Sequence, residues 1–290
     1  LTMTVVPILG AGSSMADYRI GFKLWALIIA VVFVISELVC VACVPERPVA
    51  CDEKPGKISD MFKALFKNDQ AMTVVVSIIL VYTSLNICGN LVLYFFRFDV
   101  GNEGAYSIFA AVAFAAQVLV MMVIPLLRKR FSKSQLFISG FIIQIAGFAV
   151  ILIMAFAKLY TPQSWYILCL PGILIYLGYG MLNVIMTIFL SDSVDYGEVM
   201  NGTREESVIF SMQTFTVKLA SGVAVFLAGL VVDWIHLDTA AAVQTQDTLD
   251  ALRMWMTIPS VILLIVGIFV FKRFYKLDDT RMEEIKSKLN

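Results

Sequence analysis

A lysine lies in the middle of a long apolar stretch, residues 205–231, with small polar residues beside it at helical spacing. The stretch is long enough to cross a bilayer, since about 20 mostly apolar residues suffice. Lys218 lies near its centre, where a charge costs roughly 2.5–3.5 kcal/mol on insertion scales. Ser207, Ser211 and Thr214 precede it at intervals of three or four residues, which puts all four on one helix face. The pattern predicts a membrane helix with one polar face.

Two interpretations of Lys218 stay open from these residues. An ionisable residue within a membrane helix is a functional candidate by default, and Lys218, Thr214 and the neighbouring Gln213 are suited to bind a polar solute. Alternatively, a carboxylate on a neighbouring helix neutralises Lys218 and the residue is structural.

A second polar series lies in residues 71–96. Tyr82, Asn86, Asn90 and Tyr94 are spaced by four, so they wind slowly around one side of a helix. Asparagine in hydrocarbon requires hydrogen-bond partners. These side chains either join helices or line a cavity for a polar solute. Four polar residues in one series favour the interpretation that they line a cavity.

Charged residues crowd the polar turn 191–207 between two apolar stretches. Glu205 and Glu206 fit the start of the next helix, where acidic side chains are favoured. Asp192 and Asp195 lie at the end of the preceding helix, where acidic side chains are not favoured. They suit salt bridges that open and close with conformation, together with the two further charged residues of the turn, Glu198 and Arg204.

The composition requires a membrane setting for these residues. The 290 residues are 60% hydrophobic and 15% charged, with a mean hydropathy of +0.86, whereas soluble domains are about 25% charged. The net charge of +0 gives no indication of a nucleic-acid partner. The single histidine, His236, lies in a polar loop, and no nucleophile–base set is evident, so an enzyme is not expected and no cofactor is predicted.

Membrane spans that exceed 20 residues position the polar series. The predicted fold class is all-α, a polytopic membrane helical bundle. The predicted spans are 21–44, 71–96, 104–127, 134–157, 163–190, 205–231 and 252–274.

Four regions are predicted along the chain. Residues 1–44 hold the end of a truncated helix and one full span, so we expect a fragment of a longer protein. Residues 45–70 form a connection with an amphipathic helix, because apolar residues from Ile58 to Phe66 recur at helical spacing. A six-helix bundle covers 71–275, and 276–290 is a charged tail.

Lysine and arginine are concentrated in alternate connections. The connections around 128–133 and after 272 are rich in them, whereas the loop 233–250 carries aspartates. By the positive-inside rule the basic connections are cytoplasmic. We therefore expect a multi-pass protein of the cell membrane, in contact with the lipid bilayer, with its C-terminus in the cytoplasm.

The polar turn and the lysine-bearing helix together resemble one family. Asp192-x-x-Asp195-Tyr-Gly-Glu198, then Gly-x-Arg204-x-Glu, then Ser-x-Gln213-Thr-x-x-x-Lys218 is similar to the glycoside–pentoside–hexuronide:cation symporters of the major facilitator superfamily. The segment PLLRKRFSK, residues 125–133, is a weaker match. The resemblance places the chain as the end of the N-terminal half and the whole six-helix C-terminal half of such a protein.

The resemblance also implies roles for particular residues. Lys218, Thr214 and Gln213 match a helix near the sugar and cation sites, while Asp192, Asp195 and Arg204 match residues near a cytoplasmic gate. Asn183 falls where the melibiose permease has an aromatic residue that contacts sugar, which implies a different substrate. The cation-binding acids of the family lie on early helices, so no metal or cation site is assigned in this chain.

The expected function is secondary active transport: symport of a sugar or glycoside with Na⁺ or H⁺ by alternating access. Lys218, Thr214, Gln213 and Asn183 are the expected substrate-binding residues, together with Tyr82, Asn86 and Asn90 on the other polar series. An alternative keeps the fold and changes the ligand to a lysolipid-like, amphiphilic or anionic substrate, whose phosphate would meet Lys218. The sequence names neither the sugar nor the ion.

Overall fold

The chain divides into two compact units, Leu1–Gly56 and Lys57–Asn290. The computed structural model describes residues 2–10, 15–43, 66–202, 204, 206–241 and 243–289. Within these ranges every regular element is a helix, as the predicted fold class requires. The predicted amphipathic helix lies outside the described residues apart from Phe66, and the boundaries of the four regions stay a prediction.

The first unit is a helical hairpin. Helix α1 (Thr2–Leu9) packs on the beginning of α2 (Met15–Cys43), where Gly10 and Gly21 lie too close to the opposite backbone for a Cβ atom. Small residues allow this close approach. From residue 22 onward α2 is mostly exposed within its unit, and Arg19–Cys43 is long and apolar enough to span a membrane.

The second unit is a bundle of seven helices among its described residues. Six of them are long and apolar enough to cross a membrane. They are α3 (Asp69–Tyr94, continued by a π-helical turn at Phe95–Asp99), α4 (Ala105–Leu127), α5 (Lys133–Phe156), α6 (Cys169–Asn201, after a 3-10 turn at Trp165–Leu168), α7 (Glu206–Trp234), α8 (Gln246–Phe274) and the short α9 (Asp279–Leu289).

The expected limits of two spans were wrong: α8 begins at Gln246, six residues before the expected position 252, and α6 ends later than expected. Helix α6 continues eleven residues beyond the expected end at 190, because its polar last turns pack inward and Gly202, at φ 72°, ends it. The tail is not only a charged segment: α9 forms within it, because Leu277, Met282 and Ile285 bury one side against Tyr196 and Val199 of α6.

Helix α6 lies at the centre of the bundle and packs on α3, α4 and α5. Its contact with α5 depends on glycine, since a Cβ on Gly178 would lie 2.6 Å from the backbone nitrogen of Gln144. Gly147 of α5 approaches Ile175 in the same way, at 2.7 Å. Helix α3 packs on α7 and α8 on its other sides. Helices α3 and α6 therefore hold α7 and the rest of the bundle in place around the polar residues of the next subsection.

The two ends of the bundle are joined by different polar contacts. At one end, named here the basic end, Arg128 lies 3.4 Å from Asp279, and the Asn68 amide donates to the carbonyl of Ser193 at 2.8 Å. At the opposite end, Asn102 donates to the carbonyl of Pro162 at 3.2 Å. The connections predicted to share a membrane side therefore lie at the same end.

Candidate functional site

Polar side chains of α3, α6 and α7 form a surface that the second unit leaves partly or fully exposed. Tyr82, Asn86, Asn90 and Asn183 are half-buried, whereas Thr187, Thr214 and Lys218 are exposed. A membrane-length bundle has no need of such residues for solubility, so this surface requires another explanation. We name it the polar face, and its residues are Tyr82, Asn86, Asn90, Asn183, Thr187, Gln213, Thr214 and Lys218.

A hydrogen bond between Tyr82 and Asn183 joins α3 to α6 on the polar face. The Asn183 amide donates to the Tyr82 hydroxyl at 2.6 Å. The Tyr179 ring meets the Tyr82 ring edge-on, with centroids 5.5 Å apart, and fixes its position. The sequence predicted both residues as substrate-binding but gave no sign that they contact each other across a separation of 101 residues.

The two asparagines of α3 bond to their own helix. The Asn86 amide donates to the carbonyl of Tyr82 and the Asn90 amide to that of Asn86, each at 2.7 Å. Within the described residues neither forms a side-chain hydrogen bond to another helix. Their side-chain oxygens stay free to accept hydrogen bonds, which favours the cavity interpretation over the packing one.

Gln213 links α7 to α6 through a residue that the sequence reasoning missed. Its amide lies 3.4 Å from the hydroxyl of Thr187, which in turn donates to the carbonyl of Asn183 at 3.2 Å. Thr214 makes a long bond of 3.4 Å to the carbonyl of Phe210. Thr187 lies one helical turn from Asn183, so a four-residue polar spacing on α6 was the signal available.

Lys218 is exposed on α7 and lies away from the side that packs on α3. The packed side is made of small residues, including Ala220, Ala224 and Ala228. None of the carboxylates in the described part of the second unit forms an ion pair with Lys218. The structural alternative, neutralisation by a neighbouring helix, therefore finds no support within this unit.

The predicted gate residues divide into two groups, of which the first is an exposed cluster at the basic end. The Arg204 guanidinium lies 2.7 Å from Glu198, 3.1 Å from Asp195 and 3.2 Å from Glu206. Hydrogen bonding to Glu198, with the other two carboxylates, raises the pKa of Arg204, so it stays charged. Exposed pairs of this kind are individually weak.

Asp192 does not belong to that cluster. It is 5% exposed and forms an ion pair with Lys133 of α5 at 2.5 Å. Asp279 of α9 approaches the same lysine at 3.4 Å. Burial, together with Asp192 and Asp279, raises the pKa of the adjacent Tyr275, which stays neutral. Lys133 therefore joins α5 to α6 through Asp192 and to α9 through Asp279, and a role of Asp192 at the gate stays a prediction.

A third charged group, absent from the sequence reasoning, lies at the opposite end. The Arg253 guanidinium of α8 donates to both carboxylate oxygens of Asp99, at 2.8 and 2.5 Å, and both side chains are nearly fully buried. The Tyr160 hydroxyl donates to Asp99 at 2.6 Å. Burial and the bond to Asp99 raise the pKa of Tyr160. The π-helical turn at the end of α3 carries Asp99 into this position.

The described residues contain no group of three or more His, Cys, Asp or Glu side chains that would hold a metal ion. The polar face contributes amides, hydroxyls and one ammonium group. Such a set recognises a neutral or partly anionic polar solute through hydrogen bonds.

Comparison with known proteins agrees with this geometry. A model of the family described as MFS/sugar transport protein matches residues 1–279. An uncharacterized symporter of Bacillus subtilis, YjmB, is 24% identical over 94% of this chain and 58% of its own length. The raffinose carrier protein of Pediococcus pentosaceus is 23% identical over 100% of this chain and 45% of its own.

The isoprimeverose transporter of Lactiplantibacillus pentosus is 25% identical over 96% of this chain and 56% of its own length. The chain thus spans about half the length of the curated relatives it matches.

Proposed function

Since the chain belongs to the MFS/sugar transport protein family, we propose that it is the substrate-binding part of a secondary transporter for a sugar or glycoside. The observation that carries the proposal is the polar face, where α3, α6 and α7 expose hydrogen-bonding side chains at membrane depth, including Lys218, which has no ion-pair partner among the described residues. A sugar presents many hydroxyls and few charges, so it matches a surface of amides and hydroxyls.

The residues of the polar face would act in two ways. Asn86 and Asn90 have free side-chain oxygens that accept hydrogen bonds from sugar hydroxyls, and Thr214 both donates and accepts. Lys218 donates to sugar hydroxyls or to an acid on another part of the transporter. The bond between Tyr82 and Asn183 holds α3 and α6 in one arrangement while the solute binds.

Transport would proceed by alternating access, in which two helical bundles rock about a midplane site. The Arg204 cluster, with Asp195 and Glu198, is exposed at the basic end, where ion pairs can form and break as the bundles rock. We place this end and the C-terminus in the cytoplasm because Lys and Arg are concentrated there.

We propose coupling to Na⁺ or H⁺, with the cation held outside the polar face, which offers no carboxylate for it. The family and the relatives named for sugars do not favour the amphiphile alternative. An enzymatic activity is not proposed, since the relatives are named carriers and transporters.

Uptake by cells that express the intact natural protein tests the proposal. Radiolabelled raffinose, isoprimeverose and lactose are supplied in sodium and in choline buffers, and again after an ionophore has dissipated the cation gradient. We expect accumulation of at least one sugar above the external concentration, and its loss when the gradient is removed. Equal internal and external sugar for every probe, at normal protein abundance, would refute transport.

A further inference from the structure

A cleft lies between α3 and α7, closer to the opposite end of the bundle than Lys218. It has a volume of about 350 Å³ and is lined by Asn90 and Tyr94 of α3 and by five residues of α7, which are Val225, Ala228, Gly229, Val232 and Asp233. That volume is at the lower end of the range of small-molecule sites, which begins at roughly 300 Å³. None of these residues except Asn90 belongs to the polar face.

The helix geometry places this cleft at a different depth from the polar-face centre. Helices α3 and α7 both begin at the basic end and run in the same direction. Asn90 of α3 and Gly229 of α7 share the cleft, while Tyr82 and Lys218 lie about 12 and about 16 Å earlier along their helices at 1.5 Å per residue. A solute in the cleft therefore occupies a second position, two to three turns from Lys218.

The residues of the two positions share one side of α7 and one side of α3. Lys218, Val225 and Gly229 are separated by seven and then four residues, so they share one side of α7. On α3, Asn86 and Asn90 connect Tyr82 to Tyr94 at steps of four. A solute that leaves the cleft toward the basic end meets the free amide oxygen of Asn86 before it reaches Lys218.

The polar groups of the cleft are free to bind. The Asn90 amide nitrogen is used by its own helix, but its oxygen is not. Within the described residues the Tyr94 hydroxyl and the Asp233 carboxylate have no side-chain partner, and Asp233 is exposed. The backbone is open as well, since a Cβ added to Gly229 would have no atom within 4 Å.

The polar groups of the cleft favour an uncharged sugar over an anionic one. A carboxylate accepts hydrogen bonds from two neighbouring hydroxyls of a sugar ring, an amide oxygen accepts another, and a tyrosine presents an apolar ring face together with a hydroxyl. The negative charge of Asp233 repels a carboxylate or sulfonate on the sugar. Lys218 has the opposite sign and would not make that discrimination.

Resting on the proposed function, we propose that the α3–α7 cleft is a loading site for an uncharged sugar ring, held by Asp233, Asn90 and Tyr94 before it moves to Lys218. The cleft discriminates against anionic sugars, so selection by charge occurs at Asp233 and not at the deeper lysine.

Concentration-dependent uptake by the intact protein tests this site. Asp233→Asn removes the charge and keeps the shape, and we expect about a tenfold higher KM for the neutral sugar with unchanged maximal rate. Inhibition of that uptake by glucuronate becomes stronger in the same variant. Tyr94→Phe raises the KM about threefold. Asp247 is an exposed acid outside the cleft, and Asp247→Asn is the control. We expect it to change neither the KM for the neutral sugar nor the inhibition by glucuronate.

A second measurement does not depend on transport. Gly229→Cys places a thiol in the cleft, and Val243→Cys places one on an exposed loop as a control. Both variants are labelled with a hydrophilic maleimide in open membrane fragments, against the same protein without the new cysteine. We expect the transported neutral sugar to protect Cys at 229 and not at 243, and glucuronate to protect neither.

The outcomes separate the two proposals. If a sugar is taken up but leaves labelling at 229 unchanged, and Asp233→Asn retains the parent KM and glucuronate inhibition, the loading site is wrong and transport stands. If no sugar is taken up, the transport proposal fails; protection at 229 would then support sugar binding in the cleft alone.

Discussion

Charged residues have opposite surroundings in two regions of the bundle. At the opposite end, Arg253 and Asp99 are almost completely buried and satisfy each other with two hydrogen bonds, with Tyr160 as a third member. On the polar face, Lys218 is exposed and unpaired within the described residues of its unit. The first arrangement fixes helices, whereas the second leaves a charge available to another molecule.

The difference separates stability from activity. Breaking a buried pair leaves an uncompensated charge and destabilises the fold, while removing an exposed charge changes what the surface binds. Substitutions in the two regions should therefore alter different measurements.

The largest expected effect on stability comes from Arg253→Met. It leaves the Asp99 carboxylate buried without its partner, which costs about 3–5 kcal/mol. We expect a lower midpoint of thermal aggregation in detergent, measured by size-exclusion chromatography after heating. Addition of Asp99→Asn, which keeps an acceptor for Tyr160, restores part of the loss. Arg97→Met is the control, because Arg97 is 44% exposed; equal midpoints for the two single variants would contradict a structural role.

Lys133→Met should have the next largest effect. Asp192 then loses the ammonium group 2.5 Å away, and we expect a loss of about 1.5–3 kcal/mol, as for a hydrogen bond to a charged group. The same heating assay measures it. Asp192→Asn in the Lys133→Met background should recover stability. A melting midpoint equal to that of the parent would show that this pair does not hold α5 to α6.

Tyr82→Phe deletes the hydroxyl that accepts from Asn183 and should cost about 1 kcal/mol or less, because both side chains are half-buried. Its main effect should be a higher KM for the sugar, since Asn183 is no longer fixed. A lower melting midpoint with an unchanged KM would show that Tyr82 stabilises the fold and does not contribute to sugar binding.

Arg204→Gln should have the smallest effect on stability, within about 1 kcal/mol, because the pairs with Glu198 and Asp195 are exposed. The raised pKa of Arg204 keeps it charged across the physiological range, so salt rather than pH should modulate it. Uptake that falls in high salt in the parent and is insensitive to salt in Arg204→Gln is expected. Equal salt dependence in both would exclude this cluster from gating.

Hydrophobic length and helical spacing predicted much of the fold. Six spans of the second unit lie within a few residues of their expected positions, apart from the ends of α6 and α8. Thr214 and Lys218 are both exposed on α7, and their assignment to a solute-binding face stays a prediction. Such patterns are local, and one helix is sufficient to reveal them.

Contacts between distant residues could not be predicted in this way. Asp99 and Arg253 are 154 residues apart, and each resembles an ordinary charge at the end of a span. The sequence places Asp192 in the charged turn with Asp195 and Glu198, yet its partner Lys133 lies 59 residues earlier on another helix. Thr187 has only its four-residue spacing from Asn183 as a sequence signal, whereas its contact with Gln213 joins two helices.

The most direct test of the polar face as a transport surface is sugar accumulation by the intact protein with Lys218→Ala. We predict that cation-driven accumulation is abolished, while membrane abundance and melting midpoint match those of the parent. Accumulation against a gradient at the parental level would contradict the account, because the unpaired lysine would then have no part in transport.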